Sequence, residues 1–553
     1  MRSNRPIFIT ALLTLALLFV AGCGMIGGGD GGGGAAAGPD MGDWTRTAWR
    51  QPFPETVTVT IAEDEMAHAV FPEGYDIFNT LWAERWLEEF NVEVVVDWVS
   101  ADYELQTNLV IAAGNLPDMI WLTPVQFQQA LDANLVEDIT DEIAAWSSPG
   151  LARLLASEQN VFDTAHRDGR AFSIPRLHYG FITQTPYFWV RKDLYEQAGS
   201  PPINTVADFE NLALYFQQNL DVPFPIVMDD GLHTFFNGIP MFNGHSAGRT
   251  RQWFTGPDGT ILSSYESPGF AEAIRYFARW YEMGLMHPEF ATIDWDMMSG
   301  EIVSGNSVME FGANWRGWPW QNVVTNFTED SYLIVLPMPT PDGSRAQIPI
   351  FFANYGHNVV RRGYEFPEIL PILLSDYVYM LNEASLAGNL PVEYIEPFTI
   401  NEMHHTTGPF WIAFPHYDDV VAVLNALDDH AAGNEPTFTS SYQVLYFNEI
   451  IRWVDHRELD GMGRFAQMGN RRSSLAMGVY YEDNNMFLQC RAWGPMPQEV
   501  LDLGGITDSI IEEGVVRLIM GLDPIEHWEV VLEDWRQAGG NTMTAAINEM
   551  YGN

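Results

Sequence analysis

The chain has 553 residues, 47% hydrophobic and 13% aromatic, too long for one core and too apolar for a disordered chain. Asp and Glu number 73 against 27 Lys and Arg, a net charge of −46 that repels phosphate backbones and argues against a nucleic-acid partner. Lys192 is the only lysine, and the acidity reads as a solvated coat of the kind that keeps salt-adapted proteins soluble.

The first 23 residues, MRSNRPIFITALLTLALLFVAGC, carry Arg2 and Arg5, an apolar run from Ile7 to Val20, and then small residues. That pattern is a secretory signal peptide; the run is too short for a stable membrane span. Val20-Ala21-Gly22-Cys23 resembles a bacterial lipobox, which implies a signal over 1–22 and a lipid on Cys23. An incidental cysteine after an ordinary signal is the plainer alternative. Residues 23–54 open with GMIGGGDGGGGAAAGPD after the cysteine, a flexible Gly-rich tether. About twenty such residues reach some 25 Å, so the folded part stays near a membrane yet turns freely. Cys490 is then a lone thiol, expected to be buried and inert.

Strands and helices alternate from residue 56. TVTVTIA (56–62) is β-branched and predicts a strand; 75–90 places Phe78, Leu81, Trp82 and Trp86 at helical spacing; VEVVVDWV (92–99) predicts a second strand. A helix over 103–114 ends at a Gly cap, and DMIWL (118–122) predicts a third strand. This alternation predicts a parallel, doubly wound sheet, with ligand beyond the carboxyl ends of its strands. Trp121 then faces a ligand rim or packs under a helix. Pro175 breaks the pattern in GRAFSIPRLHYG (169–180). Thr205 with Asp208, and Ser267 with Pro268, begin two helices, and Gly284 stops the second. SVMEF (307–311) predicts a short strand, followed by a loop crowded with Trp315, Trp318 and Trp320. Residues 332–356 read as strand, Pro-rich crossing, strand. Near the end a helix runs from Asp523-Pro524 to Gly539-Gly540, with Ile525, Trp528, Leu532 and Trp535 on a core-facing side.

These pieces, in this order, resemble bacterial extracellular solute-binding proteins of the sugar-binding group, the maltose-binding-protein-like lipoproteins that feed ABC importers. The likeness rests on AAGNLPDMIW, RDGRAFSIPR, WVRKDLYEQAG, VSGNSVMEFGANW and the C-terminal stretch from VVRLIMGLDPIEHWEVV, and covers nearly all of the mature chain. It implies an α/β fold of the type II periplasmic-binding class, two doubly wound lobes joined by a hinge. Lobe 1 is expected over 55–176 and 346–430, and lobe 2 over 177–345 and a mainly helical 431–553. It also implies binding without chemistry, and a monomer that delivers an oligosaccharide, neutral or of uronic-acid type, to permease subunits. Cys23 would anchor it to a membrane, on the periplasmic side or at the cell surface. Residue by residue, the resemblance implies a ligand site of Trp121, Thr123, His233, Phe236, Trp315, Arg316, Trp318, Tyr355, Arg491 and Trp493. Some long relatives carry a calcium loop where this chain has only QQNLDVPFPI, so no metal is expected there, and no cofactor.

A Trp face offers flat apolar contact to the C–H face of a pyranose, while polar neighbours read its hydroxyls. Trp315 and Trp318 therefore touch ligand or pack just beneath it; Trp320, after Pro319, belongs to a core. Arg316 either takes a ligand carboxylate through paired hydrogen bonds or pairs with a surface Asp or Glu. Two other readings remain: a lipoprotein glycoside hydrolase, which needs two carboxylates facing across a sugar, and a surface carbohydrate adhesin. No Gly-rich phosphate loop, Gly-x-Ser-x-Gly elbow or His-Glu-x-x-His motif is present to favour an enzyme. The adjacent His404 and His405 read as a surface loop.

Overall fold

The computed structural model describes residues 41, 44–65, 71, 74–157, 159–177, 185–244, 252–256, 258–350, 354–380, 417–438, 441–492 and 496–552. The signal segment, Cys23, most of the tether, His404, His405 and Trp493 fall outside them.

In chain order the strands that place the site are β1 (Val57–Asp64), β2 (Val92–Ser100), β3 (Met119–Leu122), β4 (Ile174–Leu177), β5 (Tyr187–Arg191), β6 (Met309–Gly312), β7 (Leu333–Leu336) and β8 (Asn354–Val360). The β-branched alternation of β1 buries Val57, Val59 and Ile61 on one face. β1 and β2 pair in parallel, joined through the helix Leu81–Phe90. That helix starts only at Leu81, because Thr80 caps it by accepting from the Ala83 amide. The predicted turns before it, 75–80, are not helical. Leu81, Trp82, Trp86 and Phe90 form its buried face, and Asn91 ends it in the left-handed region.

The third predicted strand is present, but its partner is not local. β8 returns from far along the chain and lies between β3 and β4, antiparallel to both. Asp118 ties this group to β1: its carboxylate accepts from the Thr60 amide (2.9 Å) and hydroxyl (2.7 Å) and from Arg361 (2.7 Å). The first core gathers here, around Ile120, Leu122, Phe127, Val136 and Val359. Residues 44–54, expected as the end of the tether, are packed instead: the Phe53 amide bonds the Phe90 carbonyl (2.9 Å), and the Arg46 guanidinium lies 4.2 Å from the Phe53 ring.

The second core is larger and separate. β5 lies between β6 and β7, antiparallel to both, and all five of its residues are buried. The helices Val206–Asn219 and Pro268–Glu282 cover it, with Phe209 against Phe188 (5.1 Å), Phe311 (5.3 Å) and Trp280 (4.9 Å). Both begin where the sequence places their caps: Thr205 with Asp208 forms a reciprocal box, and Ser267 accepts from the Phe270 amide. The core continues into the C-terminal helices, where Trp528, Leu532 and Trp535 are buried as expected. The last helix does not stop at Gly539-Gly540. It kinks there (Gly539 φ 145°) and resumes as Asn541–Tyr551. Cys490 is buried and forms no disulfide; burial pushes its thiol pKa up, so the thiolate is disfavoured. No described helix is long and apolar enough to cross a membrane.

Candidate functional site

Trp121 stands opposite Asn358 of β8, near the carboxyl end of β3. The two strands come close there because residue 356 is glycine at φ 151°. A Cβ at that position would lie 2.6 Å from the Leu122 carbonyl oxygen and 3.2 Å from the Trp121 ring. Tyr103 lies flat on Trp121, 4.8 Å between centroids and 2° between planes, and its hydroxyl donates to the Trp121 carbonyl (3.0 Å). The Arg176 guanidinium lies 4.6 Å from the Trp121 centroid, and its Nε donates to Asn358 Oδ1 (3.2 Å). Burial lowers the Arg176 pKa to about 10, opposed by Tyr103 and Glu63, so it stays cationic at neutral pH. Burial lifts Glu63 to about 8, opposed by Arg176. The half-buried Trp121 is thus held on a buried cation and a buried phenol.

The second core presents a matching feature just beyond β6. The three tryptophans of this loop have three different fates. Trp315 is 44% exposed, Trp318 is half-buried and Trp320 is buried. Arg464 lies 4.6 Å from the Trp318 ring and is itself held by Glu449 (2.5 Å). The helix Met462–Met468 packs along residues 314–317 and supports the loop from behind. Arg316 is not at the surface. Its guanidinium is buried 4.1 Å from Trp295, 5.0 Å from Trp315 and 5.4 Å from Trp320, with Nε 3.3 Å from Glu310 Oε1. It does pair with an acid, as one reading anticipated, but with a buried one. Burial lifts Glu310 to about 8, opposed by Arg316 and reinforced by Asp229.

Residues 82–360, just over half of the chain, match the family described as bacterial extracellular solute-binding protein. The chain belongs to this family. No curated protein matches it in sequence. Among solved structures it is similar to the alginate-binding protein AlgQ2 without calcium ion, at 13% identity over 92% of this chain and 100% of that one, TM-score 0.65. It is similar to an HMO-binding, ABC-transporter-associated solute-binding protein of Bifidobacterium longum infantis, at 13% identity over 90% and 99%, TM-score 0.61. It is also similar to an EF-hand mutant of the S. pneumoniae substrate-binding protein FusA in complex with fructo-nystose, at 16% identity over 89% and 98%, TM-score 0.60. At these identities the likeness establishes the two-lobed periplasmic-binding fold.

In this solute-binding protein the other expected site residues are scattered. The Thr123 hydroxyl accepts from the Gln126 amide (3.2 Å) and is used in a capping box for the helix Pro124–Asp132. Phe236 is fully buried against Phe235 (5.4 Å), a wall of the core rather than an accessible face. His233 is partly exposed beside Trp295 (6.3 Å), with Nδ1 bonded to the Asp229 carboxylate. Arg491 is exposed, its guanidinium reaching the Tyr551 carbonyl (3.4 Å) near the C-terminus. Tyr355 stands within β8, and Trp493 lies outside the described residues.

Sequence reasoning missed Arg176, Tyr103 and Trp295. Arg176 stood in IPRL, where only the proline drew notice. Trp295 left no separate signal: it opens the helix Trp295–Ser304 behind the Asp294 cap (Met297 amide to Asp294, 2.9 Å) and shares the i, i+3, i+7 face of the buried Met298 and Ile302, as an ordinary core residue would.

Proposed function

We propose that this solute-binding protein captures an oligosaccharide between its two lobes and delivers it unchanged to an ABC-type permease. In this reading Cys23 carries the lipid that holds it at the outer face of a membrane. The first lobe comprises 55–176 with 346–430, the second 177–345 with 431–553, and the protein acts as a monomer.

One observation carries the reading. Each core ends in a partly accessible indole at the carboxyl end of a strand, Trp121 at β3 and Trp315 beyond β6, and each indole rests on a buried arginine. Carboxyl ends of strands are where α/β sheets hold ligands. A whole Trp side chain buries about 150–250 Å², so the accessible part of one indole is worth about 1–3 kcal/mol at about 25 cal/mol per Å² before the costs of association. Micromolar affinity needs about 8 kcal/mol, so two such platforms with hydroxyl hydrogen bonds suffice without catalysis. Ligand that touches both lobes stabilises the closed form and shifts the population toward it. Arg316, being buried, would act on ligand through the rings above it, for neutral and uronic-acid sugars alike.

A thermal-shift screen with neutral and acidic oligosaccharides tests this, because a ligand bound only to the native state raises Tm. The expected result is a raised Tm with at least one sugar, small-angle scattering that compacts on its addition, and recovery of that sugar intact by chromatography. A raised Tm with cleaved sugar would replace the reading with the hydrolase. No shift with any sugar would remove the oligosaccharide.

A further inference from the structure

Trp295 and Trp315 come from different elements, a helix start and a loop, yet their centroids lie 5.4 Å apart with planes tilted by 51°. The buried Arg316 guanidinium stands over both rings, at 4.1 Å and 5.0 Å. A cation shared by both indoles holds their planes at a fixed angle to each other. Trp315 is 44% exposed and Trp295 half-buried, so the pair forms a ridge with two slopes rather than one flat shelf.

A polar group stands at the rim of this ridge. The His233 ring meets Trp295 edge-on (6.3 Å, 77°), and its side chain is 28% exposed. Asp229 is buried, takes the His233 amide (2.9 Å) on one oxygen, and bonds Nδ1 with the other. A proton on Nδ1, facing the Asp229 carboxylate, leaves Nε2 of the neutral ring as an acceptor for a hydroxyl. Glu310 and Arg316 are the other charged groups of this cluster.

We propose that Trp295, Trp315 and His233 form a two-ring saccharide subsite on the second lobe, selective for chains whose adjoining rings are turned against each other. A sugar ring stacks parallel to the indole that carries it. Two indoles tilted by 51° therefore take two successive rings tilted by a similar angle, as axial or otherwise kinked linkages provide. A flat ribbon of equatorially linked rings contacts one slope and lifts off the other. His233 reads an equatorial hydroxyl of the ring on Trp295. The proposal rests on the oligosaccharide reading above and adds the linkage geometry.

The test measures Kd by calorimetry for tetrasaccharide pairs that share a monosaccharide and differ only in linkage, kinked against flat, across gluco-, manno-, galacto- and uronate series. The expected result is tighter binding of the kinked member. Trp295→Ala and Trp315→Ala should each weaken it by about tenfold or more, and Trp295→Phe should restore most of the loss. His233→Ala should weaken it by about three- to tenfold, more for the parent sugar than for an analogue lacking one hydroxyl. Trp315 is exposed enough for its variant to fold, which keeps the test open if Trp295→Ala does not. Equal or tighter binding of the flat member, or unchanged affinity in Trp315→Ala, would overturn the subsite and leave oligosaccharide capture standing. Absence of binding by every pair would remove the capture reading, and this subsite with it.

Discussion

His357 shows how far a residue's neighbours can move it from its usual chemistry. It is buried, with Nδ1 2.7 Å from Ser173 Oγ and its ring stacked on Phe127 at 4.0 Å. Burial alone drives its pKa from 6.5 to about 3. The unfolded chain therefore takes up this proton in the window from 6.5 down to about 3 while the folded chain does not. The contribution to stability is whole above 6.5 and is lost as pH falls through that window. In thermal melts across this range, His357→Gln should flatten the acid-side fall in Tm; an unchanged slope would assign the fall to other groups. Glu310 works in the opposite sense, because burial raises its folded pKa from 4.5 to about 8. Its contribution is full below 4.5 and lost as pH rises through about 8. Glu310→Gln should therefore gain Tm relative to the parent on the alkaline side and gain little or lose near pH 5. That comparison also tells whether the buried arginine beneath the Trp295 and Trp315 rings needs a charged partner.

At the scale of elements, the helix Ile369–Tyr379 is apolar on all sides and almost wholly buried, yet it carries Asp376. Arg85 of the helix Leu81–Phe90 grips that carboxylate with two hydrogen bonds, 2.8 Å from Nε and 2.7 Å from Nη2. Asp376 is fully buried, whereas Arg85 is partly exposed and lies 3.9 Å from Glu89 as well, so losing the arginine strands the carboxylate. Arg85→Met should cost about 3–5 kcal/mol in denaturant unfolding, and Asp376→Leu in the same chain should recover much of it. Equal losses in the single and double variants would show that packing, and not the pair, holds the two helices. The elements that were legible were those whose signals are local. Thr205 with Asp208, Ser267 before Pro268, and Gly114 after Ala113 each set a boundary through hydrogen bonds within one turn. The resemblance implied that this segment returns to the first lobe, but its antiparallel place between β3 and β4 was not legible, because its hydrogen bonds join residues about two hundred positions apart. The continuation past Gly539-Gly540 was misread for a related reason. Two glycines end an isolated helix, but here the next helix packs against Gln498–Ile519 and the turn carries the chain into it.

For the whole molecule, a charge of −46 on 553 residues is a self-repulsion spread over the surface. Raising salt from about 0.1 M to about 1 M shortens the screening length from about 10 Å to about 3 Å and should raise Tm. Calorimetry in KCl checks this; a falling Tm would mean that surface ion pairs such as Lys192 with Asp330 (2.9 Å) outweigh the repulsion. The buried clusters around Arg176 and Arg316 should be nearly indifferent to the same salt, since screening acts on exposed charge.

Periodicity and caps along the chain predicted alternating strands and helices and which tryptophans of the last helices are core, while the two-lobed α/β architecture was what the family resemblance of the ordered motifs implied. The same logic separated Trp320 from its neighbours. It did not separate Trp315 from Trp318, nor bring Trp295, Arg176 and Tyr103 to the sites, nor show that Arg316 lies beneath indoles and not in front of them. Those are decided by which distant segments meet, and a residue's exposure and partners are properties of that meeting and not of its place in the chain.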